Sequence, residues 1–288
     1  MAAIPRVIHK ALFLDQLSVP PEVHDALRTW QLQNPRHELR VYLSEAVADE
    51  ALRTRGLWRV AQAMRAVRAH AAKVDVFRLG ILWAEGGWYS DWKQECLETG
   101  LLDRLAAQSN HTLVTCLDKG NAYSAAHGLY QQAFVGAPPG DACVGRALNA
   151  TLRNVRLRHY GETSLDPTGP GVWGRVVRRT CRVPVVCEHR DNLFYAGPDP
   201  IIRHKCSRCA RGQDWKGGSN YNTIWKRKEF YVEPPPPPPS PSPSPSPSPS
   251  PSPSPSPSPS PPPWAHLATL SSAPVPSFFR WLRHVIGA

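Results

Sequence analysis

The sequence predicts an α/β fold built on a parallel sheet. Two observations carry that prediction. Short apolar segments alternate with segments of helical period through the first 56 residues, in the order strand, helix, strand, helix. A long, mostly apolar helix then stops at Gly86-Gly87 and gives way to another strand.

The elements follow in order. Residues 4–9, IPRVIH, read as the first strand, with Pro5 at its start. From Pro20 to Gln33 the residues Val23, Leu27 and Trp30 recur at helical spacing, and Asn34-Pro35 breaks the helix. ELRVYL at 38–43 reads as the second strand. Ser44 then resembles a cap for EAVADEALRTRG, which Gly56 stops. Residues 57–85 are helix-rich, and the last helix carries Val74, Phe77, Leu79, Ile81, Leu82 and Trp83 into a core. WYSDW reads as a strand, as do 112–117 and 130–135. Ala142 to Arg153 reads as a helix, and VWGRVVRR as another after the turn-rich loop Leu165–Gly171. Residues 184–186 and 192–195 read as late strands, and 203–231 are basic and aromatic without a period.

Composition sets the organisation. The chain has 288 residues, 41% hydrophobic and 20% charged, which suits a globular protein with one large core. Proline departs from this: nineteen of its 32 residues fall in 234–263, mostly in a Ser-Pro alternation. Proline offers no N–H to a ladder, so this tract is expected to be a disordered polyproline II linker, reaching on the order of 90 Å. It separates a domain at 1–233 from a tail at 264–288. In the tail, 277–286 sets Phe278, Leu282, Val285 and Ile286 against Arg280, Arg283 and His284. That is a short amphipathic helix, suited to peripheral membrane contact or a partner, or to no docking at all.

The net charge is +11, and beyond residue 233 only Arg280 and Arg283 carry charge. The domain is basic in its own right and suits anionic partners such as nucleotides and phosphates. No zinc-finger, basic-zipper or RNA-recognition signature is present, so nucleic acid is not an expected partner. The seven cysteines are odd in number and cannot all pair within the chain. Cys206-Ser207-Arg208-Cys209, near His204, lacks the further ligands of a zinc site and reads as two local thiols or a disulfide. Neither a signal-peptide pattern nor an apolar run of spanning length is visible. The protein is then cytosolic, or its leader lies outside this sequence.

The chemistry-bearing residues cluster between 75 and 95. Asp75 and Arg78 are three apart on one helix face, inside the apolar run VDVFRLGILW. A charged pair there is either buried and mutually paired or lines a cleft. The helix ends in GGWYSDWKQE, which presents Asp91 at a strand end. Two positions on, where a metal site would want a second carboxylate, stands Lys93.

The strand IPRVIH, then Trp30 with Asn34-Pro35, the D-x-x-R of Asp75 and Arg78, the G-G-W-Y-S-D ending at Asp91, and Thr168-Gly169-Pro170 together resemble a known family. It is the glycosyltransferase sugar-binding region with a DXD motif, which includes yeast-type initiating mannosyltransferases and sphingolipid glycosyltransferases. The resemblance spans roughly residues 4–230, and Asp75 through Asp91 is its most specific piece. It implies a GT-A-like nucleotide-sugar-binding sheet flanked by helices, with Asp75 and Arg78 facing the donor and Asp91 meeting ribose, diphosphate and metal. It implies hexose transfer from a nucleotide sugar to a glycan or glycolipid, with retention of configuration, in the Golgi or secretory pathway.

Here the pattern departs from the family. D-x-D becomes Asp91-Trp92-Lys93, and a lysine repels the Mn²⁺ or Mg²⁺ that the family motif holds. The Lys93 ammonium replaces the metal, or Glu95 or Asp118 completes the site, or the domain binds without transferring. Further candidates are weaker. His9 at the end of the first strand and Tyr89 would line the donor, or simply pack. Trp215, Asn220, Tyr221 and Trp225 would line an acceptor site, or pack. Two other function classes stand beside the transferase: an inactive nucleotide-sugar-binding module, and a wall or matrix protein whose business is the Ser-Pro tract.

Overall fold

The computed structural model describes residues 3–13, 21–120, 122–127, 129–206 and 220–233, all within Met1–Glu233. The Ser-Pro tract, the 277–286 segment and Trp215 lie outside the described residues. In chain order the elements are β1 (Val7–Ala11), α1 (Pro21–Gln33), β2 (Glu38–Tyr42), α2 (Glu45–Arg53), α3 (Trp58–Arg65), α4 (His70–Glu85), β3 (Gly87–Ser90) and β4 (Glu95–Cys96). There follow α5 (Leu101–Gln108), β5 (Val114–Asp118), α6 (Ala122–His127), β6 (Tyr130–Ala137), α7 (Ala142–Arg156) and α8 (Pro170–Thr180). The last are β7 (Glu188–Arg190), β8 (Leu193–Ala196), β9 (Asp199–Arg203) and α9 (Tyr221–Lys226).

The nine described strands form one sheet in the order β2-β1-β3-β6-β5-β7-β8-β9-β4. The expected α/β class holds, but the sheet is mixed rather than parallel. β1 pairs in parallel with β2 and β3, and β5 with β7; the remaining pairings are antiparallel. The cause is connection length. Only two residues separate β7 from β8 and β8 from β9, and such a loop can join only antiparallel neighbours. The strand expected at 184–186 is also displaced: those residues are irregular, and the strand is β7.

Each face of the sheet is covered. α2, α3, α4, α7 and α8 pack one core with Tyr42, Tyr89 and Val135. α1 and α5 pack the other with Ile8, Trp88, Phe134 and Phe194. β1 is buried at every position, as a central strand covered on both faces must be. α4 is buried along most of its length, which explains why its sequence lacks a polar stripe.

The pairings fix which ends of strands meet. β1, β2, β3, β5, β7 and β9 run one way, and β4, β6 and β8 the other. The carboxyl ends of β3, β5, β7 and β9 and the amino end of β6 therefore share one edge of the sheet. Ligands of open α/β sheets bind beyond such an edge.

Candidate active site

Two glycines aim the first group of side chains. Gly86 (φ 66) caps α4 and Gly87 (φ 87) opens β3, both in the left-handed region. A Cβ on Gly86 would lie 2.5 Å from the Pro139 nitrogen, and one on Gly87 2.4 Å from Val7 Cγ1. This tight reversal folds α4 back on β3, so that Asp75 and Arg78 of the helix meet Tyr89 and Asp91 of the strand.

Arg78 is the hub. Its Nη2 lies 3.0 Å from Asp75 Oδ1 and 3.3 Å from Asp91 Oδ1, and Nη1 donates to the Gln132 carbonyl at 2.8 Å. The guanidinium stacks 4.5 Å from the Tyr89 ring centroid, and the Tyr89 hydroxyl donates to Asp91 Oδ1 at 3.1 Å. Burial disfavours the Arg78 charge, but Tyr89, Asp91 and Asp75 outweigh that and raise its pKa. Burial pushes the Tyr89 phenol well above its ordinary range, so it stays a donor. The Thr-Gly-Pro loop closes the cluster: Thr168 Oγ1 donates to Asp75 Oδ2 at 3.1 Å. That loop is held by Asp166, which accepts from the Glu162 and Thr163 amides and pairs with Arg175. Two buried atoms in the cluster, Arg78 Nε and Gln132 Oε1, have no partner.

A second polar group lies beneath the same turn. Gln94 N donates to Asp91 O at 3.0 Å, so Trp92 and Lys93 form the corner of a turn. The Lys93 ammonium sits 4.7 Å over the Trp92 ring. Lys10, fully buried on β1, donates to Ser90 Oγ at 2.9 Å and to the carbonyls of Asp91 (3.1 Å) and Gln94 (3.5 Å). Burial pushes its pKa well down. Ser90 continues the chain to Gln94 Oε1 at 2.7 Å, and Gln94 Nε2 reaches His204 Nδ1 at 3.2 Å. No local pattern marks Lys10 in the sequence, and His204 stands out only beside the Cys206–Cys209 pair; their partners here lie 80 and 110 residues away.

The predicted residues fall as follows. Asp75, Arg78, Tyr89 and Asp91 come together, with Lys93 on the adjoining turn. Tyr221 of α9 joins them: burial and then the field of Asp75 raise its pKa. Asn220 instead caps α9, and Trp225 Nε1 donates to the Tyr160 carbonyl at 2.8 Å. His9 is fully buried, with Nδ1 3.0 Å from the Tyr42 hydroxyl and Nε2 3.1 Å from the Gly86 carbonyl, so both ring nitrogens are taken up inside the fold.

His9 gives a stability prediction. Burial, then the positive field of Arg40, lowers its pKa from 6.5 to about 3. The unfolded chain takes up that proton first, so stability falls as pH drops from 6.5 towards 3. The expected loss is roughly 2 kcal/mol at pH 5. Urea denaturation at pH 7 and pH 5 measures it, and His9→Gln should flatten the slope.

The site does not fit the divalent ion that the family motif implies. Among the described residues no group of three or more His, Cys, Asp or Glu could hold a metal. Asp91 Oδ1 is engaged by Arg78 and Tyr89, Glu95 pairs with Arg203, and Asp118 pairs with His189. Among the described residues Cys116 pairs with Cys187 and Cys143 with Cys181, and Cys96 is a buried free thiol. No helix among the described residues is long and apolar enough to cross a membrane.

No protein-family model matches the chain, and no curated protein does. Solved structures with a similar backbone do exist. "PaToxG Glycosyltransferase" aligns over 62% of this chain and 70% of its own, at 10% identity and a TM-score of 0.43. The ligand-free glycosyltransferase domain from the YGT toxin aligns over 62% of this chain and 78% of its own, at 10% identity and a TM-score of 0.40. The UDP-bound form of that domain gives 62% and 77%, at 10% identity and a TM-score of 0.35.

Proposed function

We propose that the chain is a glycosyltransferase that moves a hexose from a nucleotide sugar to a glycan or lipid acceptor, with retention of configuration. The observation that supports this most is the buried Arg78 hub at the ligand-binding edge. It binds two carboxylates and a carbonyl yet leaves Nε, and the neighbouring Gln132 Oε1, without partners. Buried polar atoms without partners are costly, and hydroxyls and phosphate oxygens of a sugar nucleotide would satisfy them. Asp75 and Asp91 accept from sugar and ribose hydroxyls, Arg78 orients both, and Tyr221 of α9 lines the acceptor side.

As the bond to the sugar breaks, negative charge gathers on the diphosphate and needs a cation placed where it develops. Lys93, on the turn that begins at Asp91, supplies that cation in place of a metal. The disulfides Cys116–Cys187 and Cys143–Cys181 favour an oxidising compartment, in line with the secretory pathway. The test is nucleotide release by the full chain from a panel of UDP- and GDP-hexoses. Release from one donor with transfer to a sugar acceptor is expected. Tight UDP or GDP binding without release would instead make the domain a binding module, and no binding at all would overturn the proposal.

A further inference from the structure

The edge that carries Asp91 also carries a buried pair that the chemistry above leaves unused. Asp118 ends β5, and His189 stands beside it on β7, with Oδ1 and Nδ1 2.9 Å apart. Burial works to raise the Asp118 carboxyl, but hydrogen bonds from His189, Ser124 and the Gly120 amide outweigh it and hold it below the usual range. An ionised carboxylate only accepts, so His189 Nδ1 donates to Asp118 and the ring turns Nε2 away from it. His189 is 6% exposed, and that Nε2 has no partner.

The ring is fixed on several sides. A Cβ on Gly120 would lie 2.3 Å from His189 Cε1, and the rings of Phe194 and His204 stand 4.7 and 4.8 Å away. His204 Nδ1 also lies 3.2 Å from Gln94 Nε2, and Gln94 closes the Asp91 turn, so the pair stands next to that turn. β6 passes between the two groups: Gln131 lies beside the His189 ring, and Arg78 donates to the carbonyl of the next residue, Gln132. An imidazole oriented through Nδ1, with Nε2 unpartnered at the carboxyl edge of the sheet, is the geometry that proton removal from a hydroxyl requires.

We propose that His189 is a catalytic residue that takes the proton of the acceptor hydroxyl, with Asp118 holding the ring and stabilising the imidazolium. This rests on the transferase reading. The acceptor oxygen bonds to the anomeric carbon on the face from which the diphosphate departs, so configuration is retained, and the bond from that carbon to the diphosphate breaks. Its electron pair leaves with the diphosphate, and the hydroxyl proton passes to Nε2.

The experiment uses the full chain, with UDP or GDP as the binding probe and methyl hexosides as acceptors. His189→Gln should leave nucleotide affinity and donor KM within about twofold and lower acceptor-dependent kcat about 100-fold. Gly120→Ala, which crowds the ring without removing it, should move the same quantities in the same direction. A His189→Gln enzyme within threefold of wild type would overturn the inference. So would nucleotide affinity falling in step with kcat in both variants, because the pair would then only shape the site. Wild type that neither binds nor releases nucleotide would remove the transferase reading itself, and this inference with it.

Discussion

Replacing Arg78 with methionine is expected to cost the domain about 3–5 kcal/mol and to abolish donor turnover. The size follows from what the change leaves behind. Asp75 and Asp91 would face each other without their shared cation, and the Gln132 carbonyl would lose its donor. Arg78→Lys should not rescue turnover, because one ammonium cannot reproduce a planar fork that serves three partners. Adding Asp91→Asn to Arg78→Met removes one of the stranded charges, so part of the stability should return while turnover stays lost. Denaturant midpoints for the three variants, with nucleotide release, check each step.

Lys10→Met should behave in the opposite way: stability near wild type, turnover lowered about 100-fold. The stability side rests on redundancy. The Asp91 carbonyl keeps the Gln94 amide, the Gln94 carbonyl keeps Trp30 Nε1, and Ser90 keeps Gln94 Oε1. Methionine also fits beside Trp30, over which the ammonium now sits at 4.3 Å. The activity side rests on geometry. Lys10 is the strut beneath the Asp91–Gln94 turn, and a small displacement of reacting groups costs on the order of 100-fold in rate.

A pH signature separates this from a packing effect. The folded-state pKa of Lys10 lies well below 10.5, so the unfolded chain binds that proton more readily. Stability should therefore rise as pH climbs towards the unfolded value, and the rise should be absent in Lys10→Met.

The half of the fold that leads into the site was legible because its signals are local. α1 and α2 announce themselves by helical spacing and by the Ser44 cap, and Gly86-Gly87 marks the reversal. The later half was read less well. β4 has two residues and no pattern of its own, and β9 carries Pro200, a residue that weakens a strand signal. A signal for the β7-β8-β9 hairpins was present in Asp191-Asn192 and Gly197-Pro198, where Asp191 and Gly197 take positive φ. Those two turns specify antiparallel neighbours, and hence a mixed sheet.

In the site, Asp75, Arg78 and Asp91 were visible because helix spacing and a strand end put them within reach of one another. Lys10 was hidden inside an apolar strand. Asp118 and His189 are 71 residues apart, and only the β5–β7 pairing joins them.

The proposed exchange of a metal ion for Lys93 meets its most direct test in one measurement. Nucleotide release by wild type, Asp91→Ala and Lys93→Asp is followed in Mn²⁺ and again in excess EDTA. Wild-type release that is unchanged by EDTA, lost in Asp91→Ala, and dependent on Mn²⁺ in Lys93→Asp is the predicted result. Wild-type release that stops in EDTA would contradict the account, because a metal ion and not Lys93 would then be holding the diphosphate.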